Sequence, residues 1–204
     1  EIPMISKGFY LCCICHRLMR ERKGAFMGRL GVLYHMDTCI ACGACQTACK
    51  DGHGLIGGEF FRRVEMIETD EGYLPYSGAC CHCGNPMCVS ACPTGAMHKT
   101  EEGAVVHDDG LCIGCGACVW NCPYGAVSFS RLKGVSQKCD SCIERRQKGE
   151  NPLCVDACPT DSLKYGEWDD LLKDFGQEML TPDFLPSPKI TEPSLLILGG
   201  KKHV

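Results

Sequence analysis

The sequence has few of the large side chains that usually fill a hydrophobic core. Phe, Trp and Tyr together make up 7% of the 204 residues, and twenty residues of the apolar fraction are cysteines. The most apolar run, Leu195 to Leu198, is far shorter than the ~20 residues that a transmembrane helix needs. These shortages argue against a conventional aliphatic core and against a membrane span within this chain.

Common enzyme and targeting motifs are also missing. The sequence contains no glycine-rich dinucleotide fingerprint, phosphate-binding loop or nucleophile motif, and no pattern of a basic segment followed by an apolar signal core. The formal charge is -4, which disfavours binding to nucleic acid. We therefore expect a chain that is not an enzyme by itself.

Cysteine is the residue that the sequence has in excess. The stretch CIGCGACVWNCPYG, from Cys112 to Gly125, has the C-x2-C-x2-C-x3-C-P spacing of [4Fe-4S] ligand motifs. Gly114, Gly116 and Ala117 are small enough for a tight loop around a cubane. Because the fourth cysteine of such a motif usually ligates another cluster, the stretch predicts a partner motif.

Three further motifs are present. The first repeats the same spacing, the second reads C-x2-C-x4-C-x3-C-P, and the fourth reads C-x2-C-x11-C-x3-C-P. The motif cysteines are, in chain order, Cys39, Cys42, Cys45 and Cys49; Cys80, Cys83, Cys88 and Cys92; Cys112, Cys115, Cys118 and Cys122; Cys139, Cys142, Cys154 and Cys158. These sixteen thiols match four cubanes at four ligands each, so we predict four [4Fe-4S] clusters. The loaded chain should then carry a charge of roughly -12, and its folding should depend on the clusters.

Two other uses of cysteine are open to such a sequence. A disulfide scaffold is disfavoured, because three thiols at two-residue gaps cannot pair with one another without strain. Zinc ribbons use two separated C-x-x-C pairs, whereas here a third cysteine follows at the same gap and the Cys-Pro ending recurs. A zinc-structured interaction module remains the less favoured alternative.

The ends of the chain differ from its middle. Residues 1–26 are expected to be an atypical N-terminal extension before Met27, and a metal role for its Cys12, Cys13, Cys15 and His16 is disfavoured. Residues 167–180 (EWDDLLKDFGQEML) predict a helix with Trp168, Leu171, Leu172, Phe175 and Met179 on one face. The proline-rich tail from 181 to 204 is expected to run extended over the surface of this protein or of a partner.

Short strands are predicted between and around the motifs. Leu30 to Tyr34 reads as a strand that enters the first motif, and Glu59 to Ile67 as another. Residues 95–99 and 103–107 flank a turn and predict a hairpin. Arg62 and Arg63 are candidates to face a cluster or an acidic partner, with a solvated edge as the alternative.

The motifs are duplicated. DTCIACGACQTAC resembles DGLCIGCGACVWNC, and the second motif with PTGAMH resembles the fourth with PTDSLK. The nesting allows motif two to pair with motif three, and motif one with motif four. The predicted domains are an extension (1–26), a double ferredoxin-like region (27–166, with an inner module at about 74–130 and an outer module at about 27–73 and 131–166), and a helix with a partner-binding tail (167–204).

These features together resemble the four-cluster iron-sulfur subunit of the dimethyl sulfoxide reductase family of molybdenum enzymes. The most specific segments are PTGAMHK with EGAVVHDD, CIGC with CPYGA, KCDSCIERRQKGENPLCVDACP and PKITEPSLLILGG. The resemblance implies an α+β fold of two fused bacterial-type 2[4Fe-4S] ferredoxin-like domains, with short strands, short helices and long loops. It also implies an electron-transfer role between a quinol-oxidising membrane anchor, or another redox partner, and a molybdopterin catalytic subunit.

The resemblance also implies the ligand sets. They are Cys39, Cys42, Cys45 with Cys158; Cys139, Cys142, Cys154 with Cys49; Cys80, Cys83, Cys88 with Cys122; and Cys112, Cys115, Cys118 with Cys92. Some relatives carry Trp at the position of Cys115 and hold a [3Fe-4S] centre, so the cysteine here predicts a fourth [4Fe-4S] cluster. Cys81 is spare and is expected to pack as a small apolar residue, while His82 is a candidate donor to a cluster sulfur.

Partners and location are less closely defined by the sequence. Lys138, Arg145, Arg146 and Lys148 are candidates to steer docking onto a catalytic subunit, with a solvated loop as the alternative. The same role in a formate dehydrogenase, hydrogenase or nitrate reductase type of complex is the alternative function. We expect the protein in the cytoplasm or, if a partner with a twin-arginine signal carries it, on the periplasmic face of the membrane.

Overall fold

The computed structural model describes residues 29–70 and 72–200. The predicted N-terminal extension, with Cys12, Cys13, Cys15 and His16, lies outside these ranges. The strands are β1 (Leu30–His35), β2 (Arg62–Thr69), β3 (Gly72–Ala79), β4 (Met97–Lys99), β5 (Val105–His107), β6 (Ser128–Ser130), β7 (Val135–Gln137), β8 (Leu163–Glu167) and β9 (Leu195–Leu198). The helices are α1 (Ala44–Gly52), α2 (Met87–Ser90), α3 (Ala117–Trp120), α4 (Ile143–Gln147), α5 (Leu153–Asp156), α6 (Trp168–Phe175) and α7 (Pro188–Thr191).

A three-stranded sheet joins the two ends of the described residues. Strand β1 lies in the middle, antiparallel to β8 and parallel to β9. Its residues Leu33 and Tyr34 are buried on opposite faces, because successive side chains of a strand alternate. The strand predicted at Leu30 to Tyr34 is thereby confirmed, with one more residue at its end.

Three antiparallel hairpins, β2–β3, β4–β5 and β6–β7, complete the strand content. The hairpin predicted on either side of residues 100–102 is confirmed as β4–β5. The strand predicted from Glu59 begins only at Arg62, opposite Ala79 of β3. The content is therefore mixed, with short strands and short helices.

The helices that carry motif cysteines pack in nested pairs. Helix α1 of motif one packs on α5 of motif four, and α2 of motif two packs on α3 of motif three. Both α1 and α3 begin after a glycine with positive φ, Gly43 at 77° and Gly116 at 72°, a conformation that glycine adopts without strain.

The buried side chains form separate clusters that follow the same nesting. One contains Tyr34 and Leu163 with Cys45 of motif one and Cys154 of motif four. Another contains Cys88 of motif two and Cys118 of motif three, together with Met97, Val105 and Val127. Cysteines therefore occupy positions that aliphatic residues fill in other small domains.

Helix α6 and the tail differ in part from expectation. The helix ends at Phe175, a 3-10 turn covers Gly176–Glu178, and the backbone then turns so that the Leu180 amide donates to the Ile197 carbonyl. Leu171 packs with Trp168 and Phe175 as predicted, whereas Leu172 and Met179 remain partly exposed.

The expectation that the tail runs extended over the surface is wrong for residues 195–198. These residues form β9, in which Leu196, Ile197 and Leu198 are buried. An apolar LLIL segment gains more by pairing with β1 and leaving water than by lying on a surface. Among residues 29–70 and 72–200, the structure has no helix that is both long and apolar enough to cross a membrane.

Candidate metal centres

The first group of thiols, here called site A, combines motifs one and four. Cys39, Cys42 and Cys45 line a small cavity together with Cys158. Burial alone would raise the pKa of Cys158, but backbone amides of Thr160, Leu163 and Ser162 and the Thr160 hydroxyl outweigh it and lower the pKa. The site therefore favours a thiolate at its fourth position.

The second group, site B, consists of Cys139, Cys142, Cys154 and Cys49. The pKa of Cys154 is raised by burial and by the nearby sulfurs of Cys49 and Cys142. The pKa of Cys139 is raised by burial and, among other groups, by Cys49 and Cys154. The packing of α1 on α5 brings these thiols together although more than ninety residues separate Cys49 from Cys142 in sequence.

The third group, site C, consists of Cys80, Cys83, Cys88 and Cys122. Burial raises the pKa of Cys88 to about 12, and the sulfurs of Cys80, Cys122 and Cys83 add to the effect. Cys122 belongs to motif three, so this group again mixes two motifs.

The fourth group, site D, brings Cys112 and Cys118 of motif three near Cys92 of motif two, and Cys115 is its predicted fourth member. The pKa of Cys118 is raised by burial and by the sulfurs of Cys112 and Cys92, although the Ser136 hydroxyl opposes the shift. The pKa of Cys92 is lowered, because the amides of Met97, Thr94 and Gly95 and the Thr94 hydroxyl outweigh its burial. Cys92 thus resembles Cys158, its counterpart in the duplicated sequence.

All seventeen cysteines in residues 29–70 and 72–200 are free thiols. The disulfide alternative therefore has no support in this part of the sequence. Groups of four thiols suit zinc as well as iron-sulfur clusters.

Hydrogen-bond donors surround the sulfurs. Backbone amides approach four of them at 3.3–3.4 Å: Met97 to Cys92, Gly114 to Cys112, Ala126 to Cys122 and Ser141 to Cys139. The Ser77 hydroxyl lies 3.4 Å from Cys45, in a contact where either group can donate, and the Cys118 thiol donates to the Ser136 hydroxyl at 3.1 Å. Donors of this kind stabilise the negative charge of thiolate ligands and raise cluster potentials.

The two serines show how the duplication extends beyond the cysteines. Ser77 precedes Cys80 by three residues, and Ser136 precedes Cys139 by three residues. Each serine comes from the second strand of a hairpin, β3 or β7. Neither serine was predicted as a neighbour of a thiol, although their equal distance from the following motif is visible in the sequence.

Two buried cations also lie among the thiols. Arg62 and Lys138 are each 5% exposed. Burial alone would lower the pKa of Arg62, but the sulfurs of Cys154, Cys139 and Cys45 outweigh it and raise the pKa. The position of Arg62 supports the prediction that it faces a cluster. Arg63 is exposed, as the alternative of a solvated edge predicts. A docking role for Lys138 is wrong, because its side chain is buried.

Unpaired buried cations fit an anionic cofactor. Neither Arg62 nor Lys138 pairs with a carboxylate within the described residues. A buried charge without a counter-charge costs several kcal/mol, so negative groups must lie near both. Four thiolates around a cubane supply that charge, and the donor set therefore fits [4Fe-4S] clusters.

Two histidines support the loops around sites B and C. His53 Nδ1 donates to the Cys49 carbonyl at 2.8 Å, and its Nε2 lies 3.2 Å from Asp140. The pKa of His53 is raised by Asp140 and by the Cys142 and Cys49 sulfurs. His82 is buried, and its Nδ1 accepts the Val105 amide at 3.0 Å. Its predicted donation to a cluster sulfur stays a prediction.

The remaining candidates have simple surroundings. Cys81 is 5% exposed and its Sγ points at the Ala79 carbonyl, as expected for a packed thiol. Arg145 pairs with Glu150 and Asp156, and Arg146 pairs with Glu102. Lys148 is exposed, so of the four basic candidates it has the surroundings that docking requires.

An exposed apolar surface surrounds site D. Ile113 and Trp120 of motif three are 67% and 87% exposed, and Leu132 is 76% exposed. Cys115 is itself exposed. The other exposed motif cysteine, Cys42, belongs to site A, where Ile40 is 65% exposed. Sites A and D therefore reach the surface more closely than sites B and C.

Comparison with known proteins agrees with this chemistry. A 4Fe-4S dicluster domain model matches residues 72–168, and a 4Fe-4S binding domain model matches residues 36–52. The B subunit of the anaerobic dimethyl sulfoxide reductase of Escherichia coli is 38% identical over 181 residues, 82% of this chain and 87% of that relative.

Further relatives carry similar names. The thiosulfate reductase electron transfer subunit PhsB of Salmonella typhi is 38% identical over 148 residues, 68% of this chain and 76% of PhsB. The arsenate respiratory reductase iron-sulfur subunit ArrB of Shewanella sp. (strain ANA-3) is 31% identical over 196 residues, 70% of this chain and 83% of ArrB.

Proposed function

Because this protein belongs to the family of iron-sulfur subunits that includes the B subunit of anaerobic dimethyl sulfoxide reductase, we propose that it passes electrons along four [4Fe-4S] clusters to or from a molybdopterin catalytic subunit. It is an electron-transfer subunit of an oxidoreductase complex and not an enzyme by itself. The observation that carries the proposal is the packing of α1 of motif one on α5 of motif four and of α2 of motif two on α3 of motif three, which brings thiols of different motifs together.

The proposed ligands are the members of sites A to D. Each site would hold one cluster, and bound clusters supply the one-electron carriers that the thiols lack. The shared cavity of Cys39, Cys42, Cys45 and Cys158 supports the assignment of site A. The mutual effects of the sulfurs on their pKa values support sites B and C and, for Cys112, Cys118 and Cys92, site D.

The proposed architecture is two fused ferredoxin-like modules. Packing of α1 on α5 and pairing of β1 with β8 support an outer module that holds sites A and B. Packing of α2 on α3 and pairing of β4 with β5 support an inner module that holds sites C and D.

The proposed electron path follows the order A, B, C, D. Arg62 lies close to Cys45 of site A and to Cys139 and Cys154 of site B, so these two sites adjoin. Cys80 of site C is near enough to affect the pKa of Cys139 of site B. Sites A and D are then the ends of the path, in agreement with the exposure of Cys42 and Cys115.

The two ends of the proposed electron path, sites A and D, suit different partners. The surface around site D, with Ile113, Trp120 and Leu132, suits an apolar partner such as a membrane anchor. We assign site A to the molybdopterin catalytic subunit.

The complex would lie in the cytoplasm or, with a partner that carries a twin-arginine signal, on the periplasmic face of the membrane. The substrate depends on the catalytic subunit, and the same role in an arsenate or thiosulfate reductase type of complex is the alternative.

The test is anaerobic purification of the protein from its native host, with a count of iron and acid-labile sulfide and identification of co-purifying subunits. We expect about sixteen of each per chain and a molybdopterin protein in the complex. The Cys81→Ser variant should give the same count, because Cys81 belongs to none of the four sites. Zinc without sulfide would overturn the proposal.

A further inference from the structure

Arg62 and Lys138 are the two Arg or Lys residues that are buried as whole residues in the ranges 29–70 and 72–200, and the similarly buried side chain of Arg146 pairs with Glu102. The other buried polar residues there are Ser, Thr and Gln, and His82, whose pKa is lowered well below its usual range by burial and by Lys138 and Arg146. Neither cation serves an ion pair with a carboxylate, and a conventional core would not retain such residues.

Arg62 lies at the junction of sites A and B. Its Nη1 donates to the carbonyl and to the hydroxyl of Ser77, at 2.9 and 3.0 Å. That hydroxyl lies 3.4 Å from Cys45 of site A. On its other side the guanidinium is close to Cys154 and Cys139 of site B, and its Nε has no oxygen or nitrogen partner. The side chain therefore lies near ligands of both sites and is linked to Cys45 of site A through Ser77.

Lys138 lies at the junction of sites B and C. It directly follows β7, and its Nζ donates to the carbonyls of Val105 and Cys139. Val105 packs in the same buried cluster as Cys88 of site C, and Cys139 belongs to site B, so these two hydrogen bonds place the ammonium group between the two sites. Lys138 thus faces two adjacent sites in the same way as Arg62.

Both cations stand at the end of a hairpin that leads into a cysteine motif. Arg62 pairs with Ala79, the residue before Cys80, at the end of the β2–β3 hairpin. Lys138 is the residue before Cys139 and directly follows the β6–β7 hairpin. Within the described residues no buried cation stands between sites C and D. The arrangement thus places positive charge at two of the three junctions.

We propose that Arg62 and Lys138 are internal counter-cations that offset the repulsion between adjacent clusters and raise the reduction potentials of the clusters at their junctions. The inference rests on the proposed function, since it takes sites A to D as cluster sites. Reduction adds negative charge, so a fixed cation stabilises the reduced state more than the oxidised state. Removal of either cation should make the adjacent clusters harder to reduce.

The test is a redox titration of the complex, followed by electron paramagnetic resonance, for Arg62→Met and Lys138→Met. With an effective dielectric constant of about 20, loss of one charge should lower the reduction equilibrium constant of adjacent clusters about tenfold, which is about 59 mV for a one-electron couple. Arg62→Met should shift sites A and B, Lys138→Met should shift sites B and C, and site D should keep its potential in both variants.

Matched controls separate burial from charge. Arg63→Met and Lys164→Met remove exposed cations of the same types and should leave all potentials unchanged, because water screens their charge. Arg62→Lys keeps the charge and should stay close to the wild-type potentials. A fully loaded Arg62→Met protein with wild-type potentials, or one in which site D shifts as much as sites A and B, would overturn the proposal.

Iron content gives a second readout if Arg62→Met does not retain its clusters. Loss of iron and sulfide in Arg62→Met, with retention in Arg62→Lys, supports the counter-cation role. Equal loss in both variants would overturn it, since the packing of the arginine would then matter and its charge would not. A wild-type protein without iron would instead contradict the proposed function, so the two failures are distinguishable.

Discussion

Gly114 and Gly116 stand two residues apart in the loop of motif three and allow a controlled test of how that loop is held. Both have positive φ, 69° and 72°. A Cβ added at Gly114 would lie 2.5 Å from the carbonyl oxygen of Gly134, in the turn of the β6–β7 hairpin. A Cβ at Gly116 would meet nothing closer than Trp120 Nε1, at 3.9 Å.

Alanine at the two positions should therefore have unequal costs. Positive φ costs an L-residue about 1–2 kcal/mol, which applies equally to Gly114→Ala and Gly116→Ala. The contact with Gly134 adds a cost of about 1–3 kcal/mol for the movement of backbone that relieves it. Ala41, which occupies the position equivalent to Gly114 in motif one, has φ of 52°, so alanine is compatible with the loop conformation where no neighbour interferes.

The assay is the rate of cluster loss from purified protein under anaerobic conditions in a fixed concentration of guanidinium chloride. If the added cost of about 1–3 kcal/mol falls on the folded state, Gly114→Ala should lose the site D cluster about 5- to 150-fold faster than Gly116→Ala, since about 1.4 kcal/mol is a factor of ten. Ala41→Gly should slow loss at site A, because it removes the penalty of positive φ. Equal rates for the two motif-three variants would refute the steric argument.

Other parts of the structure give further expected outcomes. Cys158→Ala should remove the cluster of site A, although Cys158 lies in motif four, and Cys49→Ala should remove the cluster of site B, although Cys49 lies in motif one. Electron paramagnetic resonance signals specific to each cluster check both expectations. If Cys158→Ala lost the site B cluster and Cys49→Ala lost the site A cluster instead, the assignments would be wrong. Leu196→Ala should lower the free energy of unfolding, measured by chemical denaturation, by about 2–5 kcal/mol, because Leu196 is fully buried in β9. Leu132→Ala, at an exposed position, should lower it by less than about 0.5 kcal/mol. Similar losses in the two variants would show that β9 is not part of the core. Ser136→Ala should lower the potential of the site D cluster, since the Ser136 hydroxyl lies 3.1 Å from Cys118 and opposes the rise in the pKa of that thiol, which favours its thiolate form. An unchanged potential in a redox titration would speak against that contact.

Strands and hairpins were predicted correctly from the sequence where the residues that determine them are close together in the chain. The strand at Leu30 to Tyr34 and the β4–β5 hairpin follow from patterns within a few residues, and their ranges agree with the structure. The nested pairing of the motifs was predicted by comparing whole segments of the sequence, because the duplication is not visible in single residues.

Long-range contacts account for most of what the sequence did not reveal. Nothing in LLIL specifies that β9 pairs with β1, which precedes it by more than 150 residues. Lys138 looks like one of several basic residues around motif four, and only the position of β7 shows that it is buried. The cysteines were found because their chemistry fixes their spacing, whereas the residues that tune them reach the sites through the tertiary fold.

The nesting of the thiols has a consequence for the order in which the protein matures on the ribosome. All eight cysteines of sites C and D lie between residues 80 and 122, so on the proposed assignments the inner module can receive its clusters while the rest of the protein is still being made. Sites A and B join residues 39–49 to residues 139–158, and β1 waits for β8 and β9 before its sheet is complete. The first motif to emerge is therefore among the last to be filled, and its open thiols must be kept reduced, or held by an assembly factor, throughout synthesis.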